Sequence, residues 1–296
     1  MKRWVVGVLA LGVGLCFLPG KREPFRLEYV QGEFEVGLES EGEIEKGILV
    51  QPFRFLGKGG QVYAFESEDG QWVLKLLRFK SLRSRLKNRV ISWLPFMGDW
   101  EKNFVARRER KFAALFEGYS AAFRLNRETS GLVLLHFHPT QGEFGEVDLY
   151  DKEGVRHRLN LDTSVFIVQK KGRPVNEIID EKMALGDVEG AAGLLQRLLE
   201  AHSEGYAKGL YDKDYGLIHN FGFIGDRPLH IDLGKVVYDE RMKEASYQKA
   251  DLERVMGRLK EWLVRHHPEE AARVLDALFE YRNRAHGAGS ILDSRR

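Results

Sequence analysis

The chain has 296 residues, of which 43% are hydrophobic and 30% are charged. This composition is that of an ordinary soluble globular protein, and the length allows one large domain or two lobes with a shared core. The formal net charge of +2 is too small to indicate nucleic acid as a partner, so we expect none. Cys16 is the only cysteine, which excludes an intrachain disulfide and a metal site built from several thiolates.

Residues 1–20 begin with two basic residues, followed by an apolar run from Trp4 to Leu18. The run is short for a bilayer span and typical of the core of a signal peptide. We therefore expect residues 1–20 to be a signal peptide or a membrane anchor, which would make the protein membrane-associated. A buried N-terminal helix is the remaining alternative. Residues 21–46 are rich in Glu and Gly and are interpreted as an acidic linker.

From residue 48 the pattern favours strands, and the Asp69-Gly70 pair predicts a hairpin turn between two of three short β runs. Apolar residues at helical spacing then predict a helix over 101–125. The later predicted elements are a strand at 131–138, a hairpin over 146–162, a strand at 164–172, a helix at 187–208, a hairpin over 221–232, and helices at 245–266 and 269–284. Strands come first and helices later, which predicts an α+β fold of two lobes with a cleft between them.

Two features of the first β runs suggest a phosphate site. Gly57, Gly59 and Gly60 lie between two strands, and glycine allows backbone N–H groups to approach a phosphate closely. Lys75 follows one hairpin later, and strand alternation gives it apolar neighbours. The alternatives are an ordinary Gly-rich hairpin and a lysine at a strand edge.

A buried lysine needs an acid, and the predicted helix over 101–125 contains one in the sequence RRERKFAALF. Glu109 precedes Phe112, Ala113 and Phe116 by three, four and seven residues, so it borders the packed face of the helix. Glu117 is a weaker candidate, and a solvated Glu109 among basic neighbours is the alternative.

Acids and an amide are concentrated around the predicted hairpin over 221–232. Asp214, Asn220 and Asp232 offer the oxygen ligands that Mg²⁺ prefers. The hairpin would bring Asn220 and Asp232 side by side, and Gly234 would let the chain turn away. Turn chemistry is the alternative for the same residues. Four histidines lack metal-ligand spacing and are interpreted as structural: His136, His138, His219 and His230.

The order of these features along residues 49–235 resembles the protein-kinase-like superfamily: a Gly loop, a strand lysine, a helix glutamate, an Asp–Asn loop and an Asp-x-Gly. The resemblance implies a β-rich N-lobe over residues 47–172 and a reduced, mostly α C-lobe over 173–296. It implies ATP and Mg²⁺ as cofactors. By resemblance, the catalytic residues are Asp214, Lys75 and Glu109, and the metal ligands are Asn220 and Asp232. The resemblance also implies that ATP phosphates bind at Gly57, Gly59, Gly60 and Lys75. Adenine would bind at the backbone of Gln169, Lys170 and Lys171.

The sequence departs from the family at several points, among them Leu233 in place of the usual Phe and the lack of an Ala-Pro-Glu after Asp232. Asp214 and Asn220 are six residues apart, where the family has five, which makes Asp212 a rival for the catalytic role. The Gly loop is about two residues shorter than the family's G-x-G-x-x-G-x-V. The chain after Asp232 is too short for the usual peptide-binding half of a protein kinase. The shape looks closer to compact kinases of small molecules, sugars and lipopolysaccharide cores.

The expected activity is phosphoryl transfer from ATP to a hydroxyl of a small, sugar-type or lipid-linked acceptor. The basic amphipathic segment from Arg78 to Trp93 suits an anionic membrane surface or a phosphorylated glycolipid, with a solvated charged face as the alternative. An active kinase would need its globular part on an ATP-containing side of the membrane. The competing hypothesis is a pseudokinase, a membrane-tethered binding module without transfer activity.

Overall fold

The computed structural model describes residues 25–31, 38–45, 47–79 and 98–286. Within these ranges the side chains of residues 98–106, 108, 109 and 281–286 are not described. The predicted basic segment lies almost entirely outside the described residues, as do residues 1–20.

The first half of the described chain forms an eight-stranded sheet with the order β1-β5-β8-β4-β3-β2-β6-β7. All neighbouring pairs in it are antiparallel except β2 and β6, which run parallel. The strands are β1 (Glu41–Gly42), β2 (Phe53–Lys58), β3 (Val62–Ser67), β4 (Trp72–Leu77), β5 (Leu132–His136), β6 (Glu146–Tyr150), β7 (Arg156–Asn160) and β8 (Phe166–Lys170). The predicted strand positions therefore match the structure closely.

The longer helices lie in the second half, except for the helix at Gly98–Leu125, which lies between β4 and β5 in the chain. The helices are α1 (Gly47–Val50), α2 (Gly98–Leu125), α3 (Arg127–Ser130), α4 (Val175–Ala184), α5 (Val188–Ala207), α6 (Leu217–Asn220), α7 (Ala245–His266) and α8 (Ala271–His286). Asp187 caps α5 by accepting a hydrogen bond from the backbone N–H of Gly190. The sequence interpretation missed α4, which begins directly after Pro174.

Five short strands organise the loops between the helices: β9 (Arg173–Pro174), β10 (Leu210–Asp212), β11 (Phe221–Ile224), β12 (Arg227–His230) and β13 (Val236–Tyr238). The β11–β12 hairpin pairs with β9, while β10 pairs with β13. These two small sheets bring the chain around Asp212 and the chain around Asp232 together. The mixed α+β architecture predicted from the sequence is confirmed.

Three clusters of buried apolar side chains hold these layers together. One lies between α4, α5, α7 and α8, and a second lies under the sheet around Phe53 and Phe65. The third packs α2 against the sheet and also includes Leu233 and Val236 from the second half. Parts of the predicted linker join the sheet: Val30 is buried under it, and β1 pairs with β5.

The expectation of membrane association through an N-terminal apolar segment is corrected. Among the described residues no helix is both long and apolar enough to cross a bilayer.

Candidate functional site

Lys75 lies on β4 and reaches from the large sheet to the second half of the chain. Its ammonium donates a hydrogen bond of 2.5 Å to the backbone carbonyl of Ile231, and only 6% of the residue is exposed. Burial lowers the pKa of Lys75 to about 8, although the negative charge of Asp232 acts in the opposite direction. The lysine is therefore aimed at the segment that carries Asp232.

The helix residue found next to Lys75 is Tyr119 of α2. The Lys75 ammonium lies 5.9 Å from the centre of the Tyr119 ring. The Tyr119 hydroxyl is buried without a hydrogen-bond partner among the described residues, and burial together with Asp232 raises the pKa of the phenol. Glu109 lies ten residues earlier on α2, about 15 Å along its axis. Its side chain is outside the described set, so the Lys75–Glu109 pair stays a prediction.

Of the three predicted Gly-loop residues, Gly57 lies in β2 opposite Ala64, and Gly59 and Gly60 lie in the turn between β2 and β3. None of the three has a positive φ. A Cβ added at Gly57 or Gly60 would meet nothing within 4 Å, and one at Gly59 would make only ordinary contact with Val62. Arg78 supports the loop by donating to the carbonyl of Gly59 over 2.9 Å. The Cβ positions of Gly57 and Gly60 thus face open space, whereas the Gly59 N–H already donates to the carbonyl of Val62 over 2.9 Å.

The backbone proposed for adenine comprises the last two residues of β8 and Lys171 directly after it. The N–H of Lys170 donates to the carbonyl of Gly131, and the N–H of Lys171 donates to that of Gln71. The buried Gln169 side chain donates to the carbonyls of Ser130 and His230 and so ties the sheet to β12. Two of the amide donors in this stretch are therefore already engaged within the chain.

Asp212 and Asn220 form a buried pair at the centre of the acidic loop. The Asn220 amide donates to Oδ2 of Asp212 over 2.5 Å, and the backbone N–H of Asp214 donates to Oδ1 over 2.9 Å. His230 stacks on Phe221, with its Nε2 3.4 Å from the same Oδ2. Burial acts to raise the pKa of Asp212, but His230 and the two donors hold it below its usual value. Asp212 therefore braces both Asn220 and the chain at Asp214.

Asp214 and Asp232 are exposed, in contrast to Asp212. Asp214 accepts a hydrogen bond of 2.7 Å from Lys235, a residue that the sequence interpretation did not single out. Asp214 raises the pKa of Lys235, with smaller contributions from Asp212 and Asp232, so the ammonium lies within the field of all three acids. Detecting Lys235 required the β10–β13 pairing, which no local pattern indicates.

The β11–β12 hairpin brings Asn220 and Asp232 together, as their spacing predicted. The carbonyl of Asn220 accepts hydrogen bonds from the backbone N–H groups of Ile231 and Asp232. Asp232 uses one carboxylate oxygen to accept the N–H of Gly234 over 3.0 Å. Among the described residues, no group of three or more His, Cys, Asp or Glu side chains is arranged to hold a metal ion. This set fits Mg²⁺ only if nucleotide phosphates complete the shell, which is a common arrangement for that ion.

No protein-family model matches the chain, and no curated protein matches it. Among solved structures, the Rv3197–erythromycin complex from Mycobacterium tuberculosis is 16% identical, with a TM-score of 0.35, over 84% of this chain and 57% of that one. WbdD is 16% identical, with a TM-score of 0.33, over 81% of this chain and 48% of that one. The chain thus spans about half the length of the structures it matches. Both similarities are weak, and neither shows the fold or the function of this chain.

The structure brings some of the predicted site residues together and leaves others apart. Lys75, Asn220 and Asp232 lie close together around Ile231. Asp214 lies at the edge of this group, next to Lys235. The backbone of Lys170 and Lys171 is engaged within the chain.

Proposed function

We propose that the protein transfers a phosphoryl group from ATP to a hydroxyl of a small or sugar-type acceptor. The observation that carries the proposal is the reach of the buried Lys75 ammonium to Ile231, directly beside Asp232. A lysine loses solvation when it is buried, and its hydrogen bond here is to a neutral carbonyl. An anionic phosphate near the Gly loop would supply the missing counter-charge.

In the proposed reaction, the acceptor oxygen attacks the γ-phosphorus of ATP. The bond between that phosphorus and the oxygen bridging it to the β-phosphate breaks, and ADP leaves with the bond electrons. Asp214 takes the proton of the acceptor hydroxyl. Mg²⁺, when bound through Asn220 and Asp232, would neutralise the phosphate charge. Catalysis of this kind depends mainly on positioning and electrostatic stabilisation.

The contacts of the two loop aspartates support different roles for them. Asp214 is exposed, with 44% of its side chain accessible, so an acceptor hydroxyl can reach it. Asp212 is only 2% exposed, and its two oxygens already accept hydrogen bonds from Asn220 and from the backbone of Asp214. We assign Asp214 as the proton acceptor and Asp212 as a residue that positions Asn220.

Thermal unfolding with ATP, with Mg²⁺ and with both tests the nucleotide part of the proposal. A ligand that binds the folded state raises the unfolding temperature, so we expect a rise with Mg-ATP that Lys75→Met and Asp232→Asn reduce strongly. Lys249→Met, on an exposed face of α7, is the matched control and should behave as wild type. If wild type shows no Mg-dependent shift with ATP, the proposal is wrong.

A second candidate is a kinase-like binding module without transfer activity. The observation that favours it is the 2.7 Å contact between Lys235 and Asp214, which engages the proposed base with an ammonium. This candidate predicts nucleotide binding without consumption of ATP. Comparing ATP turnover in wild type and Lys235→Met separates the two possibilities. In an active enzyme the substitution would change the turnover rate, whereas a binding module would show no turnover in wild type or in the variant.

A further inference from the structure

A pocket of about 280 Å³ lies between the loop that carries Asp214 and the surface of α7. Asp214, His219 and Asn220 line one side of it, while Arg258, Trp262 and Arg265 line the other. Lys75 and the three loop glycines are not among its lining residues. The pocket therefore shares Asp214 and Asn220 with the proposed nucleotide site but does not include its lysine or its Gly loop.

The α7 side of the pocket is one helical stripe. Arg258, Trp262 and Arg265 follow one another at i, i+4 and i+7, so they share a face of the helix. Arg258 is paired only loosely, with 3.9 Å to Glu261 and both side chains about two-thirds exposed. Arg265 makes no ion pair within the described part of the chain. The positive charges of these two guanidinium groups are thus only weakly compensated by acidic side chains of the described residues.

The charge balance of the pocket favours an anion. Glu261 and Asp214 are the acids in its lining, and Asp214 is already paired with Lys235, which lies outside it. Guanidinium groups bind phosphate and carboxylate through paired N–H donors. Trp262 adds an aromatic surface that can pack against the carbon skeleton of a ligand.

Tyr215 at the rim of the pocket adds a conformational feature. Its φ of +54° is in the left-handed region, the only positive φ of a non-glycine residue among the described residues. The Arg254 guanidinium lies 5.7 Å from the centre of its ring. Non-glycine residues in this region carry strain and are concentrated at ligand and active sites.

We propose that this pocket binds the acceptor and that the acceptor is a small alcohol carrying a phosphate or carboxylate group. Arg265 and Arg258 bind the anionic group, which directs a hydroxyl of the same molecule towards Asp214. The assignment of this ligand as the acceptor rests on the proposed function, whereas anion binding by the pocket does not. The pocket thus determines which class of alcohol is accepted.

Calorimetry on the full chain, without nucleotide, tests the pocket with glycerol 3-phosphate as the probe and uncharged glycerol as its counterpart. We expect glycerol 3-phosphate to bind and glycerol not to bind. Arg265→Gln should weaken binding tenfold or more, and Arg258→Gln should weaken it less because Glu261 already engages that residue. Arg273→Gln, on an exposed position of α8, is the matched control and should leave binding unchanged.

The two proposals can fail separately. If glycerol 3-phosphate does not bind, or if Lys75→Met abolishes its binding and Arg265→Gln does not, the pocket assignment is overturned. Mg-ATP binding to wild type would then still support the proposed function. Conversely, the protein could bind glycerol 3-phosphate in a way that depends on Arg265 and yet not bind Mg-ATP. That result would support the anion pocket and reject the kinase function.

Discussion

The Lys75 ammonium and the Ile231 carbonyl are joined by a hydrogen bond of 2.5 Å, although the residues are 156 positions apart in the chain. The bond connects the large sheet to the hairpin that carries Asn220 and Asp232. Because the ammonium is buried, its charge state matters to both stability and ligand binding.

Stability should depend on the charge of Lys75. Its pKa is about 8 in the folded chain and near 10.5 in an unfolded one. Between pH 8 and 10.5 Lys75 is protonated in the unfolded chain and mostly deprotonated in the folded one. The free energy of unfolding should therefore rise with pH over this range, and this added stability is lost again as pH falls through 8. The difference corresponds to roughly 3 kcal/mol. Urea titrations of wild type and Lys75→Met between pH 7 and 10.5 measure it. A wild-type rise that persists unchanged in Lys75→Met would contradict this assignment.

The Gly loop should separate stability from nucleotide binding. Gly57→Ala and Gly60→Ala meet no neighbouring atom and need no positive φ, so each should leave stability unchanged or raise it by ~0.4–1 kcal/mol. Both should weaken Mg-ATP binding, since a methyl group would stand where phosphate approaches. Gly70→Ala is the control with the opposite expectation. Because Gly70 has a φ of +69°, this variant should lose about 1–2 kcal/mol of stability and keep its affinity for Mg-ATP. Wild-type affinity in both loop variants would show that phosphates do not approach there.

The sequence predicted the strands and long helices well because their patterns are local. Alternation and the Asp69-Gly70 turn indicated the β2–β4 region, and apolar spacing indicated α2. The pattern did not reveal α4, a ten-residue helix that begins directly after Pro174. Short elements of this kind depend more on tertiary packing than on periodicity.

The candidate site was predictable in part. Spacing around the hairpin correctly indicated that Asn220 and Asp232 would be neighbours. The sequence could not show that Asp212 would be buried and Asp214 exposed, because strand alternation gives the same face to both. The proximity of Tyr119 to Lys75 and of Lys235 to Asp214 depends on helix docking and on the β10–β13 pairing.

Metal binding should require nucleotide. Among the described residues no group of three or more His, Cys, Asp or Glu side chains is arranged to hold a metal ion, and Asp212 beside Asn220 already accepts two hydrogen bonds. Mg²⁺ alone should therefore bind weakly. ATP should bring the missing oxygens and make Mg²⁺ and ATP binding mutually dependent. Titrations with Mn²⁺ as a paramagnetic probe, with and without ATP, measure this coupling. Asp232→Asn should reduce the coupling and leave weak metal-free ATP binding intact. Tight Mn²⁺ binding without ATP would contradict the ligand assignment.

Replacing each of the two loop aspartates by Asn should affect stability and Mg-ATP binding differently. Asp212→Asn disturbs buried hydrogen bonds to Asn220 and to the backbone of Asp214, so we expect a loss of about 1–3 kcal/mol in stability together with weaker Mg-ATP binding. Asp214→Asn removes an exposed ion pair with Lys235, worth about 0–1 kcal/mol, so stability and Mg-ATP affinity should remain near wild type.

Turnover then decides between the two aspartates. Loss of the proton acceptor lowers the rate by ~10²–10⁴-fold, so Asp214→Asn should fall by this amount at unchanged Mg-ATP affinity. The measurement is ADP formation at saturating acceptor, combined with urea unfolding of the same preparations. Asp180→Asn, at an exposed site paired with His267, is a matched control that should alter neither turnover nor affinity. If Asp212→Asn abolishes turnover while affinity and stability stay intact, and Asp214→Asn remains active, the buried carboxylate is the base and our assignment of the loop is reversed.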